Sequence, residues 1–217
     1  LRVHTLSRPY FKHRDRHREE RRYENAVYIL DYLEMGNPHD IHPEHRNKPF
    51  VQGVGTKYFT LLEAMPLMAV RIEILERVDL EYPSKLRGII PITYSDLTAV
   101  ARTNLPEALR RIITENERVF VEFFNIAEPI NIRLHSLRLL PEIGAKTLDT
   151  LLDERRRARF TSFSDIKDRI KIDPVKALVN RIITELVGEE KYYLFIKPRD
   201  KTAIYLGYLE KLYGEII

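Results

Sequence analysis

Hydrophobic periodicity changes once along this chain, from a two-residue to a helical repeat, near residues 93–105. Before the change, short segments read as strands. Ala26–Leu33 is rich in Val, Ile and Tyr and ends at Gly36-Asn37-Pro38, a strong turn signal. Lys57–Ala64 offers a second strand, entered through Gly53-Val54-Gly55-Thr56. Ile72, Ile74, Val78 and Leu80 share one parity, with Arg71, Glu73, Arg77 and Asp79 on the other, as in a half-buried strand. Glu76 breaks the apolar parity and predicts a turn or bulge near Leu75–Arg77. Short strands this closely spaced predict a small β-barrel over residues 23–92.

After the change, Ser95-Asp96 opens a short helix to about Ala101. Pro106 suits the first turn of a long helix, where its missing N–H has no partner to lose. That helix carries Leu109, Ile112, Ile113, Val119, Phe120, Phe123 and Phe124 at core spacing and stops before Pro129. Four short helices are expected at about 131–139, 145–158, 163–170 and 174–187. Strands first and helices second predict an α+β fold, with an all-α domain over residues 93–197. Lys191–Lys197 reads as a strand with both faces apolar. Residues 198–217 read as an amphipathic helix, with Ile204, Tyr208, Leu212 and Ile216 four apart. Its wide apolar stripe must dock on the body or on another chain.

The formal charge of +4 conceals an asymmetry. Residues 1–22 form a basic arm of eight Lys and Arg against three acids, and Arg14, Arg16, Arg18, Arg21 and Arg22 lie within it. The remaining residues hold 28 basic and 29 acidic side chains, so the body is nearly neutral. A polyanion is the partner such an arm attracts, through release of condensed counterions. A solvated leader or a charge-laced surface helix is the alternative. The longest apolar runs, Ala26–Leu30 and Tyr192–Ile196, are five residues, far short of the roughly 20 that cross a bilayer. With no cysteine and no secretory signal, a soluble cytoplasmic protein without membrane contact is expected. Gln52 is the one glutamine amid abundant Lys, Arg and Glu, a bias shared with thermophile proteins.

The most specific segment is Leu137-Arg138-Leu139-Leu140-Pro141-Glu142-Ile143-Gly144-Ala145-Lys146-Thr147-Leu148. It resembles the helix-hairpin-helix motif of DNA- and RNA-processing proteins, whose turn reads Leu-Pro-Gly-Ile-Gly. Residues 140–145 would form the hairpin. Ile143 would plug the core beneath it, and Gly144 would allow a conformation that a Cβ resists. The first N–H groups of the next helix would then face outward as an anion site, helped by the helix dipole. Pro141, Gly144, Ala145, Lys146 and Thr147 are the resulting candidate contacts, gripping phosphate rather than reading bases. Glu142 departs from the pattern, because it stands where the motif has its first glycine. The alternative is a hairpin kept as a packing corner. A second turn, Ile170-Lys171-Ile172-Asp173-Pro174, lacks the glycines of a paired hairpin and reads as structural. Its helix is preceded by Ser162-Phe163-Ser164-Asp165, a capping box.

A wider likeness then emerges. Tyr28-Ile29-Leu30-Asp31-Tyr32-Leu33, Lys57-Tyr58-Phe59-Thr60-Leu61-Leu62-Glu63, Ile132-Arg133-Leu134-His135-Ser136-Leu137 and Gly188-Glu189-Glu190-Lys191-Tyr192-Tyr193-Leu194-Phe195 occur in this order. The chain resembles, over roughly residues 23–197, an uncharacterised archaeal family usually described as predicted RNA-binding proteins. The resemblance implies an OB-like barrel followed by a helix-hairpin-helix domain, and no established reaction. On an OB-like face, aromatic platforms and flanking cations would hold nucleic acid. Tyr28, Tyr32, Tyr58 and Phe59 are the candidate platforms, and Arg46, Lys48 and Lys57 the candidate cations. Arg155, Arg156, Arg157 and Arg159 form a further basic cluster that either meets nucleic acid or complements a helix dipole.

No other chemistry stands out. His39, His42 and His45 share a loop with Asp40 and Glu44, but Pro38 and Pro43 preclude a helical alignment and no zinc spacing is matched. No phosphate loop, serine triad or paired-carboxylate spacing is present, so neither catalysis nor a cofactor is expected. The expectation is a non-catalytic nucleic-acid-binding protein, RNA before DNA, using arm, barrel face and hairpin. The alternative is a protein-interaction module of a ribosome- or replication-associated complex, with self-association through residues 198–217.

Overall fold

The computed structural model describes residues 24–36, 46–67, 70–81 and 83–216. β1 (Ala26–Leu33) pairs with β2 (Phe50–Gly55), and β2 with β3 (Leu61–Pro66). β4 (Arg77–Asp79) joins the other edge of β1, and β5 (Leu86–Pro91) joins β3. The order is β4-β1-β2-β3-β5 with every pair antiparallel. Among the described residues β4 and β5 do not pair, so the expected small barrel is a curled, open half-barrel.

β1 is apolar on both faces because each face has its own core. Val27 and Ile29 pack with Val51, Leu62, Ile72, Val78 and Leu86 on one side. Tyr28 and Leu30 join Val54, Leu61 and the helices on the other. Two expected strands are shorter than the pattern suggested. Phe59 takes a left-handed φ of 59°, so Lys57–Thr60 is a turn and β3 starts at Leu61. Leu75 is left-handed too (φ 62°), which supplies the expected turn and leaves Arg77–Asp79 as the strand.

In the second half, α1 (Ala99–Glu115) begins at Thr98, whose Oγ1 accepts the Ala101 N–H at 2.9 Å. Pro106 lies inside this helix rather than opening another. It is tolerated because it sits on the exposed face, where the Arg102 carbonyl deprived of its N–H can meet water. The break comes at Asn116 (φ −107°, ψ 32°), before α2 (Glu117–Ile126).

The helix expected over 131–139 is absent. Asn131 Oδ1 accepts the N–H groups of Arg133 (2.9 Å) and Leu134 (3.1 Å), folding the backbone into a tight turn. β6 (Pro129–Asn131) and β7 (Leu134–His135) flank that turn, and Ser136–Leu139 is a single 3-10 turn. α3 (Ala145–Arg157), α4 (Phe163–Ile170) and α5 (Pro174–Val187) fall where their caps predict. Ser162 accepts the Asp165 N–H, but Asp165 reaches back to the Thr161 N–H rather than to Ser162.

β8 is only Tyr192–Tyr193, and it pairs in parallel with β9 (Ile204–Tyr205). The expected helix over 198–217 is therefore a loop, a strand and then α6 (Tyr208–Ile216). Tyr208, Leu209 and Leu212 are buried in the main core, so the apolar stripe docks on the body of its own chain. Phe123 packs edge-on against both Phe195 and Tyr208 at 4.9 Å between centroids.

A buried polar row binds the two halves together. Asp31, Gln52 and Glu63 lie in register across β1, β2 and β3. Gln52 Nε2 donates to Glu63 (2.8 Å) and to the Asp96 carbonyl (2.9 Å), while its Oε1 accepts the Thr98 N–H (2.8 Å). Thr98 Oγ1 donates to Asp31 at 2.6 Å. The start of α1 is thereby fixed to the sheet with buried groups satisfied.

Candidate nucleic-acid interface

The 140–145 turn is built from Leu140 and Ile143, both buried, with Glu142, Gly144, Ala145 and Lys146 exposed and Pro141 and Thr147 half-buried. Ile143 plugs the core as expected. Glycine is not needed at Gly144, which has φ −79° and ψ −177°, an extended conformation open to any residue. The left-handed residue is Glu142, at φ 72°. The chain thus places a side chain at the position where the motif's first glycine eases the backbone.

Glu142 points its carboxylate at the start of α5, where Lys176 Nζ lies 2.9 Å away. This contact ties the turn before α3 to the first turn of α5. Asp173 caps the latter by accepting the Lys176 N–H at 3.0 Å. α3 has no side-chain cap and no acid in its first turn. Among the described residues, the N–H groups of Ala145, Lys146 and Thr147 have no protein acceptor, and Leu148 is the first to bond back, to Gly144. Three donors, with Lys146 beside them and without a carboxylate partner among the described residues, make this helix end electropositive.

Behind the turn, α5 holds the segment 190–196. Arg181 and Glu185, one turn apart on the inward face of α5, are buried. Arg181 Nε donates to Glu185 at 2.8 Å and Nη1 to Glu190 at 3.0 Å, and Nη2 donates to the Tyr192 carbonyl. Glu185 accepts the N–H groups of Leu194 (2.7 Å), Phe195 (2.9 Å) and Ile196 (2.9 Å). Burial pushes its carboxyl up, while Arg181 and these donors pull the other way. These donors explain why 194–196 does not continue β8. The pair was visible in sequence as an Arg and a Glu on the same helical face as Leu178 and Ile182.

His135 starts the 3-10 turn by accepting the Leu137 N–H on Nδ1 at 3.2 Å. Its burial, and then the Arg155 charge, hold its pKa below the ordinary value of about 6.5. The unfolded chain therefore takes up this proton more readily than the fold. Between the depressed value and about 6.5, stability falls as pH falls. Melting temperature should drop over that window, and His135→Asn, which retains an acceptor, should flatten the dependence. An unchanged pH profile in that variant would rule out His135 as its source.

Other expected contacts are spent within the fold. Tyr28 and Phe59 are core. The Tyr28 hydroxyl donates to Glu115, and its pKa is pushed up to about 12 by burial and then by that bond. Tyr32 packs at the edge of the smaller core. Tyr58 is half-buried, edge-on to Tyr213 at 6.0 Å, and Lys57 Nζ sits 5.3 and 5.1 Å from those two rings. Arg155 donates to the Phe124 and Ala127 carbonyls, capping α2, while Arg156, Arg157 and Arg159 pair with Asp153, Glu154 and Glu122. Arg14, Arg16, Arg18, Arg21 and Arg22, and the loop of His39, His42 and His45, lie outside the described residues. Among those described, no three His, Asp or Glu are grouped to hold a metal ion, and no helix is long and apolar enough to cross a membrane.

A curled antiparallel sheet joined to a helical half that carries a Leu-Pro-Glu-Ile-Gly turn defines a mixed α+β class. The model of the family described as "Protein of unknown function (DUF655)" matches residues 23–197, and the chain belongs to that family. It is similar to Uncharacterized protein MJ0038 of Methanocaldococcus jannaschii, 37% identical over 183 residues, 81% of either chain. It is also similar to the crystal structure of Af1531 from Archaeoglobus fulgidus, at TM-score 0.72 and 37% identity. That match covers 80% of this chain and 100% of the other.

Proposed function

We propose that this protein binds nucleic acid without catalysing a reaction, RNA before DNA, by gripping the phosphate backbone. The observation that carries the reading is the solvent-facing start of α3, with no side-chain cap and three N–H groups, that of Lys146 among them, without an acceptor among the described residues. Such a helix end is a ready anion site. Glu142, the obvious obstacle, is turned toward Lys176 and partly neutralised. The basic arm adds charge that the near-neutral body lacks.

In this reading Pro141 and Gly144 shape the turn, Ala145 and Thr147 supply N–H donors, and Lys146 supplies the cation. The α3 turn is then a helix-hairpin-helix whose first helix has shrunk to one 3-10 turn. The half-barrel is OB-like in strand order, opened between β4 and β5 and with β5 antiparallel to β3. One face of β1 and β2 is covered by α1, so the barrel contributes less than hairpin and arm. A cytoplasmic location belongs to the same proposal. Short single-stranded RNA should be retained at about 50 mM salt and released as salt rises. No retention of RNA or DNA there would sink the proposal.

A second reading, a protein-interaction module, is favoured by Ile132, which is 99% exposed at the β6–β7 tip. An apolar side chain so displayed suits a partner protein better than a phosphate.

A further inference from the structure

The turn between β2 and β3 brings three backbone N–H groups onto one carboxylate. Glu24 Oε2 accepts from Lys57 at 2.8 Å, and Oε1 accepts from Thr60 at 3.0 Å. The Tyr58 N–H lies 3.1 and 3.2 Å from the two oxygens. Phe59 causes the convergence, since its left-handed φ of 59° turns the N–H groups on either side toward one point. Backbone donors gathered this way form a nest, a concavity that binds anions.

Space for the carboxylate is provided by Gly55. A Cβ there would fall 2.0–2.4 Å from Glu24 side-chain atoms. Beside the nest is a cavity of about 380 Å³ whose lining includes Asn25, Lys57, Arg77, Glu115, Asn116 and Tyr213. Lys57, which brackets both nest and cavity, has no carboxylate partner among the described residues. In sequence, Glu24 lies two residues after Arg22, where the basic stretch ends. The occupant of the nest is thus an acid tethered at the root of the polyanion-attracting arm.

We propose that the Lys57–Thr60 turn is a phosphate-binding nest plugged by Glu24, so that a phosphate group enters only by displacing the chain's own carboxylate. A phosphate oxygen needs the same three donors that the carboxylate now uses, and Lys57 would add its charge. The site is separate from α3, and it works whether or not the hairpin touches nucleic acid.

Amide NMR spectra recorded during titration with inorganic phosphate read each donor separately. In Glu24→Ala, the Lys57, Tyr58 and Thr60 amides should respond at phosphate concentrations about tenfold below those needed by the unaltered protein. Equal responses, or none in either protein, would overturn the proposal and leave Glu24 as a staple for the start of β1. Should Glu24→Ala not fold, Glu24→Gln keeps the side chain's shape without its charge. It should also respond at lower phosphate than the unaltered protein, and coincident titrations would again overturn the plug. Repeating the titration with short single-stranded RNA identifies the source of the phosphate. Tighter RNA binding by the variant, with the same amides shifting, assigns the nest to a nucleic-acid backbone. A response to inorganic phosphate alone assigns it to a free phosphorylated ligand.

Discussion

Glu185→Ala should destabilise the protein by about 3–5 kcal/mol, because it strands a buried guanidinium and three backbone N–H groups at once. Arg181 is 4% exposed and its remaining partners, Glu190 and two carbonyls, do not replace the inward carboxylate. The amides of Leu194, Phe195 and Ile196 would be left facing apolar neighbours. Urea unfolding gives the number directly. Replacing both partners with apolar residues, Arg181→Met with Glu185→Leu, removes the stranded guanidinium but still leaves the three N–H groups without their acceptor, so it should recover only part of the loss. A loss below about 1 kcal/mol in the single variant would mean that water reaches this site and that the network is not closed.

Removal of residues 198–217 should have an effect of the same order or larger. Tyr208, Leu209 and Leu212 are each no more than 4% exposed, and burying such side chains contributes roughly 1.5–3 kcal/mol apiece. Their summed loss is comparable with the total stability of about 5–15 kcal/mol typical of a domain. The Tyr208 hydroxyl also accepts the Glu128 N–H at 3.0 Å and bonds with Ser136 at 3.0 Å. The shortened chain should lose its near-ultraviolet dichroism and aggregate. A soluble product with an unchanged cooperative melt would show that α6 is dispensable to the core. The family model ends at residue 197, yet α6 completes the core that those residues form.

What could be read from the residues followed local chemistry. Ser162 and Asp173-Pro174 placed α4 and α5 because caps act over three residues. The change of period separated sheet from helices, and Ile143 went to the core. Apolar spacing failed where a polar side chain redirected the backbone. Asn131 folded a hairpin out of a segment with helical spacing, and Glu185 stopped β8 by claiming the amides that would have extended it. Conformation also failed where strain is carried by residues that do not advertise it. Phe59, Leu75, Glu142 and Lys171 are all left-handed without being glycine. At the hairpin this reversed the expected roles, with Gly144 unconstrained and Glu142 constrained. Glu24 gave no signal in sequence because its donors lie more than thirty positions away.

The aromatic residues of the sheet illustrate a further ambiguity. Alternation tells which residues share a face, and both faces of β1 are buried. Tyr28 and Phe59 therefore fill the core, and Lys57 and Tyr58 lie against α6 instead of forming an open stacking surface. In the proposed reading, phosphate contact would therefore fall to backbone donors and single cations.

Lys146→Ala is the most direct probe of that conclusion. Affinity for a short single-stranded RNA should be measured from about 50 to 200 mM salt in both proteins. Loss of one phosphate contact should weaken binding for all sequences alike and reduce the slope of log affinity against log salt by about 0.7–1. Superimposable salt titrations of the two proteins would contradict a phosphate grip at the start of α3.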